Sequence, residues 1–143
     1  MRHGEAQRFA PQDSQRMLTE HGCQEVLVAA DRLRGRRLEA ILASPYVRAR
    51  QTAELVARAI EFTGVVEIES WLTPDSDPMD ALDRLHRRPE AELLVVTHQP
   101  FVGVLAGLLI HGHRQSPLAM RTADLIGLQG DFLLAGGMDA VPR

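Results

Sequence analysis

The feature that most constrains the fold is the apolar run Leu93–Thr97, which leads directly into His98, Gln99 and Pro100. A strand with one solvated face alternates apolar and polar side chains, whereas a continuous apolar run predicts a strand that is covered on both faces. Such strands are typical of parallel sheets with helices packed on either side. Because Pro100 suits the first turn of a helix, the run predicts a buried strand that ends at a histidine and continues into a helix.

The rest of the chain alternates between strand and helix patterns. Short apolar runs predict further strands at Leu38–Ala43 and Val65–Ile68. Apolar residues at helical spacing predict helices over about 19–35, 46–62, 79–86 and from Pro100 onward. This alternation predicts an α/β fold with a mostly parallel central sheet and helices on both of its faces.

Two segments are predicted to be loops and one pair of runs a hairpin. Gln7–Thr19 and Ser70–Pro78 are polar and contain proline, which favours loops. Ala123–Leu128 and Asp131–Ala135 are separated by Gln129-Gly130, which predicts a hairpin at the end of the sheet.

Composition narrows the class of protein. The chain has 143 residues, of which 45% are hydrophobic and 24% charged, and this fits one domain over residues 1–143 with a buried core. A net charge of −3 gives no support for binding to nucleic acid or to a membrane surface. The single cysteine excludes an internal disulfide, and no apolar run reaches membrane-spanning length. We therefore expect a soluble protein in the cytoplasm.

The first residues carry side chains that are suited to phosphoryl transfer. In Arg2-His3-Gly4 the imidazole is a nucleophile near neutral pH, and the guanidinium can hold two phosphate oxygens. The glycine lets the backbone pass through a tight bend or approach a bound anion, because it has no Cβ. Taken alone, the triplet is better explained as a solvated chain end.

Residues of matching chemistry follow two of the predicted strands. Ser44–Arg48 follows one strand and His98 follows another, and ligands of α/β sheets bind at the carboxyl ends of strands. Arg48 falls in the first turn of a helix, where the dipole and free N–H groups favour an anion. Alone, Arg48 fits a solvated arginine and His98 a core histidine bonded to a backbone carbonyl. Together with Arg2-His3 they predict a pocket for a dianionic phosphoryl group.

These segments resemble the signatures of the histidine phosphatase superfamily. Arg2–Ala6 matches its Arg-His-Gly signature, Ser44–Glu54 its Ser-x-x-x-Arg-Ala-x-Gln-Thr signature, and Val96–Pro100 its second-histidine signature. Arg16–Thr19 is similar to the loop that follows the family's nucleophile. The small size and the lack of an inserted lid domain resemble the SixA-like branch of short bacterial phosphohistidine phosphatases. The resemblance extends from Arg2 to about Gly112 and implies a phosphoglycerate mutase-like fold.

The resemblance also implies roles for individual residues. His3 is the expected nucleophile, and Arg2, Arg48 and a protonated His98 are the other expected catalytic residues. Arg2, Arg48, His98 and the backbone N–H of Gln99 are expected to bind the phosphoryl oxygens. Because three cationic side chains neutralise the phosphoryl charge, no metal or other cofactor is expected.

The sequence contains a second pair of histidines, away from the family's signatures. His111 and His113 flank a glycine without a third ligand nearby, so a solvated loop is expected there and not a metal site.

Larger family members use an acidic residue, from an insert that this chain lacks, to give a proton to the leaving group. The nearest substitutes are Glu5, Asp75 and Asp77, and the two aspartates are better explained as turn residues beside prolines.

The lack of an acid bears on the substrate. An alkoxide leaving group needs a proton, whereas a protein imidazole needs one much less. We therefore expect a phosphohistidine phosphatase that acts on a phosphorylated protein and works as a monomer. The alternatives are a small-molecule phosphomonoesterase of the same superfamily and a catalytically impaired domain that binds phosphate or a partner protein.

The strand that precedes the Arg-His-Gly turn in the family is reduced here to Met1. In the family this strand is hydrophobic and lies centrally in the sheet. A missing or truncated first strand would expose its neighbours and leave His3 near a frayed end. We expect Met1 to be an internal methionine of a longer protein, and an upstream extension that restores the strand to be more stable.

Overall fold

The central sheet of the computed structural model, which describes residues 1–142, consists of three parallel strands. β1 (Ala40–Ala43) lies between β2 (Glu67–Ile68) and β3 (Leu93–Val96). Leu42 is opposite Glu67 on one side and Val95 on the other. The predicted parallel sheet is confirmed, although β1 and β2 each begin two residues later than their apolar runs.

Helices cover both faces of this sheet. They are α1 (Glu20–Ala30), α2 (Val47–Ala59), α3 (Pro78–His86) and α4 (Phe101–His111). Alternate strand residues enter two separate cores, since Ile41 and Val96 pack with α1 and α2, whereas Leu42 and Val95 pack with α3 and α4. The predicted α/β architecture is therefore confirmed. Within residues 1–142, no helix is both long and apolar enough to cross a membrane.

Local side-chain and backbone chemistry sets the ends of the helices. The Thr19 hydroxyl accepts a hydrogen bond from the Gly22 N–H at 2.9 Å and caps α1. α2 stops at Ala59, earlier than the predicted 62, because Glu61 takes a left-handed conformation with φ of +56°. Gly112, with φ of +82°, ends α4 in the same way.

The C-terminal hairpin pairs different segments from those predicted. β4 (Leu128–Gln129) is antiparallel to β5 (Asp139–Ala140), so the predicted pairing with Asp131–Ala135 is wrong. The Met138 N–H donates to the Leu109 carbonyl of α4 at 3.1 Å. This contact with α4 determines which segment pairs with β4. A local sequence pattern cannot predict it, because the two residues are far apart in the chain.

The first strand is reduced to an isolated parallel bridge between Arg2 and Thr97. The Met1 ammonium donates to the Val95 carbonyl at 2.8 Å, and the His3 N–H donates to the Thr97 carbonyl at 3.0 Å. On the other side, the Arg2 N–H donates to the Asp124 carbonyl at 3.0 Å. This short parallel pairing places His3 beside the end of β3.

Candidate active site

The structure brings three of the predicted residues together at the carboxyl ends of the strands. His3 follows the isolated bridge, Arg48 lies in the first turn of α2, and His98 follows β3. The rings of His3 and His98 are 5.1 Å apart between centroids, and Arg48 Nε is 3.2 Å from His3 Nε2. Their exposed fractions are only 6%, 3% and 1% for His3, Arg48 and His98. The site is thus a buried cluster of cationic and imidazole groups.

The hydrogen bonds of His3 define its nucleophilic atom. Nδ1 lies 2.7 Å from the Gly4 carbonyl, which can only accept, so Nδ1 carries the proton. Nε2 then holds the lone pair and accepts the hydrogen bond from Arg48 Nε. Burial lowers the pKa of His3 to about 4, and the charges of Arg48 and Arg2 act in the same direction. His3 is therefore a neutral imidazole at neutral pH, and the lone pair on its Nε2 faces Arg48.

Arg48 is held by a residue that the sequence did not single out. Its Nη1 donates to the Asp13 carbonyl at 2.8 Å, and its Nη2 pairs with the Asp13 carboxylate at 3.1 Å. Arg16 Nε donates to the other carboxylate oxygen at 2.8 Å. Burial acts to raise the pKa of Asp13, but hydrogen bonds from Arg16 and Arg48 outweigh it and lower that pKa. Asp13 is thus an ionised anchor for Arg48.

Arg2 directly precedes the nucleophile and is half-buried. Its Nη1 donates to the Met120 carbonyl at 2.9 Å, which ties it to the segment before Asp124. Its Nε is buried and has no hydrogen-bond partner in the part of the chain that the structure describes. A buried donor without a partner is costly, so the lack of a partner for this Nε is unusual.

His98 is held by Ser44, the residue that directly follows β1. His98 Nε2 and Ser44 Oγ are 2.7 Å apart, whereas His98 Nδ1 has no hydrogen-bond partner within residues 1–142. Burial lowers the pKa of His98 to about 3, with further lowering by His3 and Arg48. Burial and the nearby Arg48 therefore oppose, in the ligand-free site, the positive charge that was expected on His98.

Gln99 lies at the start of the turn into α4, but its side chain is committed elsewhere. Nε2 donates to the Leu118 carbonyl at 3.0 Å, and Oε1 accepts from the Gly103 N–H at 3.2 Å. Gln99 therefore joins α4 to the 116–118 segment. Phosphate binding by its backbone N–H stays a prediction.

Two residues of the second signature support the nucleophile turn. The Thr52 hydroxyl accepts from the Gly4 N–H at 3.1 Å and donates to the Arg48 carbonyl at 2.8 Å. Gln51 Oε1 accepts from the Leu18 N–H at 2.8 Å. The sequence pattern placed both on the same helix as Arg48, but it gave no sign that Thr52 reaches the nucleophile turn or that Gln51 reaches Leu18.

Gly4 serves a different purpose from the predicted tight bend. A Cβ on Gly4 would lie 2.7 Å from the Gly22 carbonyl oxygen, and a Cβ on Gly22 would lie 2.1 Å from that of Glu5. The two glycines therefore let the start of α1 press against the nucleophile turn. Close packing, and not a special φ angle, accounts for both.

The candidate acids and the histidine pair are exposed at the surface, and two of the acids form local hydrogen bonds. Asp77 caps α3 by accepting from the Met79 N–H at 3.0 Å, which confirms its expected structural role. Glu5 is exposed and accepts from the Thr19 hydroxyl at 2.9 Å. Asp75 is also exposed. His111 and His113 are stacked with ring centroids 6.0 Å apart, and among the described residues no group of three metal-ligating side chains is found.

Comparisons with known proteins agree with this geometry. Residues 1–73 match the histidine phosphatase superfamily (branch 1). The chain is 38% identical to phosphohistidine phosphatase SixA of Escherichia coli, over 78% of this chain and 73% of that protein. It is 32% identical to the phosphohistidine phosphatase SixA homolog of Haemophilus influenzae, over 92% of this chain and 86% of the relative.

A solved structure gives the same result in three dimensions. The protein histidine phosphatase SixA complexed with tungstate matches with a TM-score of 0.87 and 32% identity, over 99% of this chain and 91% of that chain. The family model, the sequence identity and the similarity of the fold all point to the same family. This chain therefore belongs to the histidine phosphatase superfamily, in its SixA-like branch.

Proposed function

We propose that the protein is a phosphohistidine phosphatase that passes a phosphoryl group from a histidine of a phosphorylated protein to His3 and then to water. The observation that carries the proposal is the hydrogen bonding of His3. Gly4 holds the proton on Nδ1 while Nε2 faces Arg48, so the lone pair is available in a cationic environment. A phosphoryl group needs this combination of positioned nucleophile and positive surroundings.

The reaction has two displacements. The Nε2 lone pair of His3 forms a bond to phosphorus while the bond to the leaving nitrogen breaks, and that nitrogen keeps the electron pair. Water then attacks phosphorus while the bond to Nε2 breaks, and Nε2 keeps the electron pair. The attacking water gives up its proton to solvent, and orthophosphate leaves. Arg2, Arg48 and His98 surround the transferred group and hold its equatorial oxygens.

The bonding of the carboxylates considered as proton donors favours an imidazole as the leaving group. Asp13 is ionised and bonded to two arginines, so it does not serve as a proton donor at neutral pH. Asp77 caps a helix, and Glu5 is exposed and bonded to Thr19. A leaving imidazole has less need of an acid than an alkoxide does. The relatives named phosphohistidine phosphatase are consistent with this substrate.

The test is to incubate the protein with a phosphohistidine-bearing peptide and, separately, with an alkyl phosphate. We expect faster hydrolysis of the peptide and an acid-labile phosphoenzyme that is absent in His3→Ala. His113→Gln, which changes an exposed histidine, is the matched control and should retain the phosphoenzyme.

The other functions make different predictions in the same experiment. Preference for the alkyl phosphate would overturn the substrate class and support the small-molecule phosphomonoesterase. If the wild-type protein forms no phosphoenzyme yet binds inorganic phosphate in calorimetry, it is a phosphate-binding domain and the catalytic proposal is wrong.

A further inference from the structure

The Ser44 hydroxyl is confined to two partners by burial. Ser44 directly follows β1 and is 0% exposed. Its Oγ accepts from the Tyr46 N–H at 3.2 Å, and it lies 2.7 Å from His98 Nε2. In the described part of the chain, no other hydrogen-bond partner of this hydroxyl is present. The backbone of Tyr46 can only donate through its N–H, so His98 Nε2 is the one acceptor within reach of the hydroxyl proton.

The proton count then decides the tautomer of His98. If Nε2 carried a proton, Oγ would accept two hydrogen bonds, and the buried hydroxyl proton would have no acceptor. An unsatisfied buried polar group is unfavourable. If Nε2 is instead the acceptor, the hydroxyl is satisfied and the proton of a neutral His98 must be on Nδ1.

Resting on the function proposed above, we propose that Ser44 is a positioning residue that holds His98 as the Nδ1–H tautomer, so that an uncharged His98 donates a hydrogen bond to the phosphoryl group. Nδ1 is buried and lacks a partner within residues 1–142, as a donor reserved for a ligand would. The centroid of the His98 ring is 5.1 Å from that of His3 and 5.0 Å from that of Tyr46. The ring that carries Nδ1 therefore belongs to the same cluster as the nucleophile.

The charges around His98 explain why a fixed tautomer is needed. His3 and Arg48 oppose an imidazolium at this position, and so does the more distant Arg16, whereas Asp13 favours it. Burial is the largest of these influences and also disfavours the charged ring. A neutral imidazole donates from only one nitrogen, so the donor must be assigned to the correct nitrogen by a neighbour.

A direct test is nitrogen NMR of histidine-labelled protein at pH 7, with the His98 signals assigned through a His98 variant. We expect a protonated Nδ1 and an unprotonated Nε2 in the wild type. In Ser44→Ala the proton should move at least partly to Nε2, and Ser44→Thr should keep the wild-type pattern. A protonated Nε2 in the wild type, or an unchanged pattern in Ser44→Ala, would overturn the proposal. This readout does not depend on any substrate, so it remains valid if the proposed function fails.

A kinetic test separates the two nitrogens. The amide nitrogen of asparagine overlays Nδ1 of histidine, whereas that of glutamine overlays Nε2. His98→Asn should therefore form the phosphoenzyme about tenfold faster than His98→Gln, the ratio that one hydrogen bond of ordinary strength supplies. Equal rates, or a faster glutamine variant, would contradict donation from Nδ1.

The link to Ser44 is tested by combining variants. Ser44→Ala should lower the rate of phosphoenzyme formation about tenfold with little change in KM, and Ser44→Thr should restore it. In a His98→Asn background, Ser44→Ala should have no further effect on that rate, because no tautomer remains to be fixed. An equal loss in both backgrounds would show a general structural role for Ser44. Circular dichroism of each variant verifies that it is folded.

Discussion

Thr52 connects the nucleophile turn to the helix that carries Arg48. Its hydroxyl is 0% exposed, accepts from the Gly4 N–H and donates to the Arg48 carbonyl. Gly4 and Thr52 are 48 positions apart in the chain, so this one bond fixes the distance between two distant parts of the site. A threonine in a helix often bonds back to the carbonyl four residues earlier. Here the same hydroxyl also positions His3.

Thr52→Val is therefore expected to reduce both stability and activity. Valine has nearly the same shape, but it leaves the Gly4 N–H buried without an acceptor. The expected loss is about 1–3 kcal/mol in the free energy of unfolding, measured by urea denaturation. Thr52→Ser keeps the hydroxyl and is the matched control. If valine and serine had the same effect on phosphoenzyme formation, the hydroxyl would have no role in holding the nucleophile.

At the scale of elements, a cavity lies beside β3 of the central sheet. A cavity of about 450 Å³ is lined by Met1, by Leu93 and Val95 of β3, and by Ile126 and Leu128. This cavity is lined by neither His3 nor His98. The apolar side chains that line it beside β3 leave space for an extended apolar segment.

The backbone around this cavity supports that interpretation. Alternate residues of β3 direct their backbone hydrogen-bonding groups towards β1, and the residues between them direct theirs to the opposite side. Val95 is one of the latter, and its carbonyl accepts a hydrogen bond from the Met1 ammonium. The Gly127 carbonyl bonds away from the cavity to the Val141 N–H at 2.8 Å. Burial lowers the pKa of the Met1 ammonium to about 5, so a charged chain end at this position is unfavourable.

We predict that an added apolar strand of about five residues before Met1 stabilises the fold. It would fill the cavity, pair with the free edge of β3 and replace the buried ammonium by a peptide bond. Burial of two or three large side chains is worth about 3–6 kcal/mol, which should raise Tm measurably. A glycine-serine extension of equal length is the control. Equal melting temperatures for the two extended proteins would contradict the prediction.

At the scale of the whole molecule, the site makes stability depend on pH. Burial lowers the pKa of His3 to about 4 and that of His98 to about 3, whereas both are near 6.5 in an unfolded chain. Below pH 6.5 the unfolded state therefore binds protons that the folded state does not. Stability contributed by these neutral imidazoles is complete above pH 6.5 and is lost as the pH falls towards 4 and 3.

Between pH 6 and pH 4 the expected slope is on the order of 1 kcal/mol per pH unit for each imidazole, and it is smaller for His3 near pH 4. Urea denaturation at several pH values measures it directly. The double variant His3→Gln with His98→Gln should be less sensitive to acid than the wild type over this range. His113→Gln, an exposed histidine, should keep the wild-type slope. An unchanged slope in the double variant would show that other groups govern the acid sensitivity.

Sequence patterns predicted the fold class because the relevant information is local. The apolar run at Leu93–Thr97 and the helical spacing of apolar residues elsewhere indicate which side chains are buried, and each pattern lies within one short segment of the chain. The ends of α2 and the partner of β4 were predicted less well. Glu61 ends α2 by a left-handed conformation, and a contact between Met138 and α4 sets the hairpin.

The sequence by itself determined the chemical groups of the site and the order of strands and helices that carries them. Only the tertiary structure decided how those groups are protonated and held. Asp13 anchors Arg48 from 35 positions away, and Ser44 meets His98 across 54 positions. Protonation and orientation depend on burial and on the partner at a hydrogen-bonding distance, and the chain acquires both only when its strands are assembled side by side.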